Sequence, residues 1–406
     1  EKPCLENKTN KKQKKKKQKK KKNYRVRVRP ERTTQRNPES KKETNTTKKQ
    51  EVSQVNNEVE LKEPEEIKAP EIFDEFYDQA EEKLETLTLD EKIGQMLLVR
   101  LPDQGAITEL QKYNFGGYLL FAKDFKNKSE QTVKNEIASY QEASKIPLLI
   151  AADEEGGTVV RISSNPNLVS QKFKSPSELY GLGGFDRIRE DTIEKSNILS
   201  NLGVNLNLAP VVDVSTNSRD FMYQRALGQN AELTAEYAKT VIEASKGYNV
   251  SYTLKHFPGY GNNADTHTGA AIDSRTYENI MNNDIVPFKN GIESGAEAVL
   301  VSHNIVTSID GDNAASISES VHKLLREDLK FSGIIITDDL YMGAVSNDPD
   351  VAAKAVIAGN DMLIVTDYEK EINNIKSAIE EKRITEEQID TVVRRIIAWK
   401  YYKKLM

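Results

Sequence analysis

The chain holds a single cysteine, Cys4, so neither a disulfide framework within it nor a cysteine metal site can form. A cysteine near the start of an exported bacterial chain can carry a lipid, but Glu1-Lys2-Pro3 is not the apolar, small-residue approach that such processing needs. Apolar runs of about 18 residues are absent, which excludes a transmembrane helix, and no hydrophobic signal core follows the early lysines. The sequence does not open on Met; a removed export signal is compatible with that, so extracytoplasmic and cytoplasmic locations both stay open. Also missing are a glycine-rich dinucleotide fingerprint after the first strand, a Gly-x-Ser-x-Gly elbow, and His-x-His or His-Glu-x-x-His pairs. Their absence weakens, in turn, an open dinucleotide-binding sheet, a serine hydrolase and a zinc site.

What is present first is charge, unevenly placed. Residues 1–50 carry 21 Lys+Arg and 5 Asp+Glu, a balance of +16, which leaves −21 on the rest of a chain whose total is −5. The run from Lys11 to Lys22 dominates a stretch, residues 1–70, with almost no apolar periodicity. Such a segment buries too little apolar surface to offset its ordering entropy and is expected to be a disordered basic N-terminal tail and linker. Its field suits contact with nucleic acid or anionic envelope polymers, although a plain solvated tether has the same composition. Residues 71–406, acidic as a whole, form the expected folded domain, and no nucleic-acid partner is expected for it.

From Ile72 the pattern becomes helical, with Ile72, Phe73, Phe76, Ala80 and Leu84 on one face. Thr88-Leu89-Asp90-Glu91 offers a capping box that opens a short helix toward Gly94. Short apolar runs then alternate with amphipathic ones. Strands are predicted at Met96–Val99, Gly117–Phe121, Pro147–Ala152, Val204–Leu208, Ser251–Leu254, Glu297–Ser302, Gly333–Thr337 and Asp361–Val365. Helices are predicted between most of them, at Ser129–Ser144, Asp191–Asn201, Ala231–Lys246, Asp284–Gly295 and Asp348–Gly359. A last one is predicted at Ile384–Lys400, and no second domain is expected after it. Eight alternating units over roughly 300 residues predict an α/β fold, a closed (β/α)8 TIM barrel.

Barrel active sites are built where the strands end, and here the polar groups collect there. The third strand runs into Asp153-Glu154-Glu155-Gly156-Gly157, the fourth into Ala209-Pro210-Val211-Val212-Asp213, the sixth into His303-Asn304 and the seventh into Asp338-Asp339. The fifth is followed by Lys255-His256-Phe257-Pro258-Gly259, then Asp265-Thr266-His267, which reads as an active-site loop rooted in a rigid strand. Asp338 leaves the apolar strand Ile334-Ile335-Ile336, where a carboxylate can serve as nucleophile, electrostatic stabiliser or metal ligand. Asp339 is expected to face the other way. Asp265 can orient His267 and raise its basicity, an acid/base pair working near neutral pH. Lys255 beside His256 also fits a Schiff-base aldolase. A metal centre would have to draw on His256, His267 and His303, since His322 is placed on a helix.

The segment Lys255-His256-Phe257-Pro258-Gly259 with Asp265-Thr266-His267 resembles the signature of glycoside hydrolase family 3, in its single-barrel β-N-acetylglucosaminidase branch. Six further segments agree in order: Leu89 to Met96, Asp153 to Gly157 with Arg161, Asn207 to Val214, Arg225 to Gly228, Thr337 to Leu340, and Ala358 to Met362. The resemblance spans roughly Leu87 to Tyr401. It implies that Asp338 is the nucleophile and His267 the general acid/base with Asp265 as partner. Asp153, Arg161, Arg225, Lys255 and His256 would bind the terminal sugar of an N-acetylglucosamine-containing glycan, plausibly a peptidoglycan fragment. Neither metal nor organic cofactor is expected. A histidine in the acid/base role departs from the common two-carboxylate scheme, and it leaves a phosphorylase, a β-glucosidase and a silent sugar-binding barrel as alternatives on the same fold. This sequence itself departs at Tyr260, where His is common, at Glu154 and Thr158, where Gln and Arg are usual, and in a Gly261–Asp265 loop about one residue short. These changes bear on substrate preference more than on mechanism.

Overall fold

The computed structural model describes residues 71–406 apart from 262–264, 267, 268 and 270. The tail expected over residues 1–70 therefore lies outside the described residues.

All eight predicted strands form. They are β1 (Leu97–Arg100), β2 (Gly117–Leu120), β3 (Leu149–Ala152), β4 (Leu206–Asn207), β5 (Ser251–Phe257), β6 (Ala298–Val301), β7 (Ile334–Thr337) and β8 (Leu363–Val365). Each pairs in parallel with the next, and β1 pairs with β8 in the register Leu97 to Leu363. The last seam, β7 to β8, closes through a bridge between Ile336 and Met362, with Thr337 N donating to Met362 O at 3.0 Å and Leu340 N to Ile364 O at 3.0 Å. The strands are apolar on both faces because side chains fill the barrel inside and helices cover it outside. Ile334, Ile335 and Ile336 are each 0% exposed. Burial of this kind stabilises by about 1.5–3 kcal/mol per side chain and gives Asp338 a stiff root.

Helices surround the barrel: 89–95, 130–143, 231–245, 285–293, 351–358 and 386–402 match predicted ones to within a few residues. The Thr88 capping box forms, with Glu91 N donating to Thr88 Oγ1 at 3.3 Å and Thr88 N to Glu91 Oε2 at 3.0 Å. The helix expected over 191–201 is longer, Pro176–Leu202, opening on a Ser175 capping box. It is broken by non-helical backbone at Gly183 and Gly184, so it is two helices end to end. Helices at Ala106–Tyr113 and Tyr368–Glu380 were not predicted. No described helix is long and apolar enough to cross a membrane.

The largest correction concerns β5. The strand continues through Lys255 and His256 to Phe257, all of it buried. Lys255 and His256, read from sequence as the start of a loop, are thus strand residues. The turn comes at Gly259, whose φ of +115° only glycine adopts easily and where a Cβ would sit 2.4 Å from Asp284 Cβ.

Candidate active site

At the carboxyl ends of the strands lies a cavity of about 340 Å³. Six of the eight site residues inferred from sequence line it: Asp153, Arg161, Arg225, Lys255, His256 and Asp338. Asp265 is half-buried on the loop after β5 and is not among the lining residues, whereas its neighbour Thr266 is. His267 lies outside the described residues.

The segment after β3 keeps strand alternation, so Asp153 and Glu155 face the cavity and Glu154 turns away. Asp153 Oδ2 meets Arg161 Nη2 at 3.0 Å and its Oδ1 meets Lys255 Nζ at 2.9 Å. Lys255 Nζ also reaches Glu155 Oε1 at 2.6 Å. Arg225 grips the same carboxylate, with Nη2 2.6 Å from Oε1 and Nε 2.9 Å from Oε2. Burial works against both charges. The neighbouring cations win, with Lys255, Arg161 and Arg225 holding Asp153 well below the usual carboxylate range, and Arg225 and Lys255 bringing Glu155 down to about 2. Arg225 is half-buried, which works against its charge, yet Glu155 and Asp153 push its pKa up. With its ammonium spent on two carboxylates, Lys255 is badly placed to act as the free amine that a Schiff base requires.

His256 is oriented by Asp213, whose Oδ2 lies 2.8 Å from Nδ1, and its Nε2 faces Arg225 Nη2 at 3.3 Å. Guanidinium only donates, so Nε2 accepts and Nδ1–H donates to Asp213. The other oxygen of Asp213 accepts Tyr260 N–H at 2.7 Å, tying the cavity-facing imidazole to the root of the loop after β5.

Asp338 stands at the end of β7, half-buried, with its N–H donated to Val301 O at 2.9 Å. Burial alone would raise its carboxyl. His303, the N–H of Asp339 on Oδ1 at 2.9 Å and Lys255 outweigh burial and hold it below the usual range. Asp339 lines the cavity as well, contrary to expectation, because the chain turns at once and strand alternation ends. Its Oδ2 lies 3.2 Å from Nε of Arg100, whose guanidinium stacks 4.3 Å over Phe121. His303 is fully buried, with Nδ1 2.7 Å from Ser316 Oγ and Nε2 3.0 Å from Asp339 O. His322 is buried on the helix Glu319–Lys323, Nδ1 2.8 Å from Ser318 O. Neither histidine lines the cavity, and among the described residues no cluster of three or more His, Cys, Asp or Glu could hold a metal ion.

Sequence reasoning did not select Glu155, Asp213 and Arg100 as site residues. The first has a signal in its spacing of two from Asp153 after a strand. The second closes the apolar run Val211-Val212. Arg100, the last residue of β1, has none beyond its place. Glu154, one of the departures, is fully buried and builds the loop. Its Oε2 accepts Arg161 N–H at 2.8 Å and Ile162 N–H at 2.7 Å, and Oε1 accepts the Ser163 hydroxyl. Thr158 is exposed and does not line the cavity.

The described lining thus holds four carboxylates, Asp153, Glu155, Asp338 and Asp339, against four cations, Arg100, Arg161, Arg225 and Lys255. A wall so balanced and so dense in hydrogen-bonding groups suits a neutral polyhydroxylated ligand better than a strongly charged one. The fold and site define a barrel enzyme working on a polar substrate at the strand ends.

Residues 88–399, well over half the sequence, match the glycosyl hydrolase family 3 N-terminal domain, and the chain belongs to that family. A Xylella fastidiosa (strain M23) protein named Beta-hexosaminidase is 29% identical over 304 residues, taking in 71% of this chain and 88% of that one. A Xanthomonas oryzae pv. oryzae (strain KACC10331 / KXO85) protein of the same name is 28% identical over 296 residues, with the same coverage. Among solved structures, a family 3 β-N-acetylglucosaminidase from Paenibacillus sp. str. FPU-7 superposes with a TM-score of 0.74 at 28% identity, over 79% of this chain and 63% of that chain. The match thus spans less than two thirds of the Paenibacillus protein. A family 3 glycosyl hydrolase from Mycobacterium smegmatis superposes with a TM-score of 0.70 at 27% identity, over 78% of this chain and 98% of that chain.

Proposed function

We propose that this chain is a retaining exo-β-N-acetylglucosaminidase that releases terminal β-linked N-acetylglucosamine, with peptidoglycan fragments as the source. The observation that carries the reading is the position of Asp338, a carboxylate kept ionised at the edge of a charge-balanced cavity. It faces the cluster Asp153, Glu155, Arg161, Arg225, Lys255 and His256. The relatives named Beta-hexosaminidase support the choice of sugar.

In this reading the cluster binds the hydroxyls of the terminal sugar and sets its anomeric carbon against Asp338. Asp338 attacks that carbon while His267, oriented by Asp265, gives its proton to the leaving oxygen. The resulting glycosyl-enzyme is opened by a water that His267 deprotonates, and the two inversions return the β configuration. An imidazolium suits the task beside Asp338 because it becomes neutral as it donates, where a second carboxylate would add negative charge.

The test is release of nitrophenol from the β-N-acetylglucosaminide and the β-glucoside, with and without phosphate, while the anomer of the product is followed. Preference for the N-acetyl sugar with a β product supports the reading. A glycosyl phosphate would move the assignment to a phosphorylase, preference for glucose to a β-glucosidase, and no turnover to a binding barrel.

A further inference from the structure

Tyr260, which stands where the family commonly has His, is itself held tightly. Its N–H donates to Asp213, its carbonyl accepts a long bond of 3.4 Å from Asn304 Nδ2, and its ring lies 5.7 Å from both the His256 and Phe221 rings. Val211 and Met222 complete a small apolar cluster around it. The phenol is therefore a fixed point. It meets one residue twice: its oxygen accepts Thr266 N–H at 2.9 Å and lies 2.8 Å from Thr266 Oγ1. Thr266 is fully buried, and its carbonyl accepts Ala344 N–H at 3.2 Å, from the segment that follows Asp338. In sequence it separates Asp265 from His267.

We infer that Tyr260 is a positioning residue for proton transfer, acting through Thr266 on the two residues that flank it. The inference rests on the reading of Asp265 and His267 given above. A phenol can accept an amide proton while sharing a second hydrogen bond with a hydroxyl, and both are used here on a single residue. Burial raises the Tyr260 pKa, so the phenol keeps its proton through the neutral range. The Ala344 contact fixes Thr266 from the other side. Thr266, between Asp265 and His267 in sequence, is thereby tied to the segment that follows Asp338. Proton transfer depends on placement: a displacement of about 1 Å can lower a rate by roughly 10²-fold.

The test uses Tyr260→Phe, which keeps the ring and deletes one oxygen, with Thr266→Val and Thr266→Ser as the reciprocal pair. The readout is kcat/KM over β-N-acetylglucosaminides whose leaving groups run from nitrophenol to a simple alcohol. Tyr260→Phe is expected to lose about 10–100-fold on alcohols but less than about threefold on nitrophenol, which needs little proton donation. Thr266→Val should steepen the series in the same sense, and Thr266→Ser should stay near the parent. A loss equal across the series, or none, overturns the inference. Should Tyr260→Phe fail to fold, the Thr266 pair decides alone. His267→Ala on the same series separates the two claims: steep for His267→Ala and flat for Tyr260→Phe removes only the positioning role, whereas flat for His267→Ala removes the acid/base reading beneath it.

Discussion

Arg225 closes on Glu155 with two edges of its guanidinium, Nη2 on one oxygen and Nε on the other, at 2.6 and 2.9 Å. The Glu155 side chain is only 1% exposed and shares its oxygens with Lys255. Glu155→Gln leaves two cations short of a counter-charge. Breaking a buried pair costs about 3–5 kcal/mol, so urea unfolding at pH 7 should show a loss of that order. The effect depends on pH. The carboxyl sits at about 2 folded against an ordinary 4.5, so the folded state stays ionised where the unfolded chain takes up a proton. Its contribution is complete above about pH 4.5 and fades as pH falls toward 2. The stability of Glu155→Gln should therefore change less between pH 5 and 3 than that of the parent.

Asp338→Asn keeps the shape of the β7 end but removes the carboxylate proposed as nucleophile. It should lower kcat on the nitrophenyl N-acetylglucosaminide by at least about a thousandfold, with an unfolding midpoint close to the parent. Parent-like turnover would sink the glycosidase reading.

For His267→Ala the informative quantity is kcat/KM, which reports the first chemical step. Natural disaccharides, whose leaving oxygen needs a proton, should lose about 10²–10⁴-fold. Nitrophenyl substrates should keep most of theirs, while kcat drops on both if His267 is, as proposed, the base for the water attack. Equal loss of kcat/KM on both kinds would make His267 a structural residue.

Lys400 lies far from this chemistry, fully buried, donating to Gln95 Oε1 at 2.7 Å and Gly116 O at 3.0 Å. Burial brings its pKa down to about 7 from an ordinary 10.5. Between those values the unfolded chain binds a proton that the folded one has released, so stability rises with pH. The gain is complete above about 10.5 and is lost as pH falls through 7. Relative to Lys400→Met, the parent should gain stability from pH 6.5 to 9.5 in urea titrations. A constant difference would mean that the ammonium stays charged inside the protein.

The barrel was legible because the strands are mostly apolar runs, several of which lead straight into polar residues, and Ile334-Ile335-Ile336 before Asp338 is the plainest case. β5 was cut short for the same reason. Charge at Lys255 looks like the end of a strand, and only Asp153 and Glu155, about a hundred residues earlier in the chain, make it tolerable inside. Arg100 was invisible because its meaning comes from Asp339 and Phe121, neither of them close in sequence. Glu154 looked like a change in the pocket and is a loop-builder, since its donors are three backbone groups seven to nine residues on and the Ser163 hydroxyl. Sequence showed which side chains gather at the strand ends. It did not show how their charges are shared out.

The pairing of Leu97 with Leu363 also has a kinetic meaning. Contacts this distant along the chain are the slowest to form, because a long loop must be closed before they contribute anything. Until β8 has been synthesised and inserted, β1 and β7 keep open edges able to pair with another chain. Insertion of β8 between β1 and β7 is therefore the step on which closure of the barrel waits.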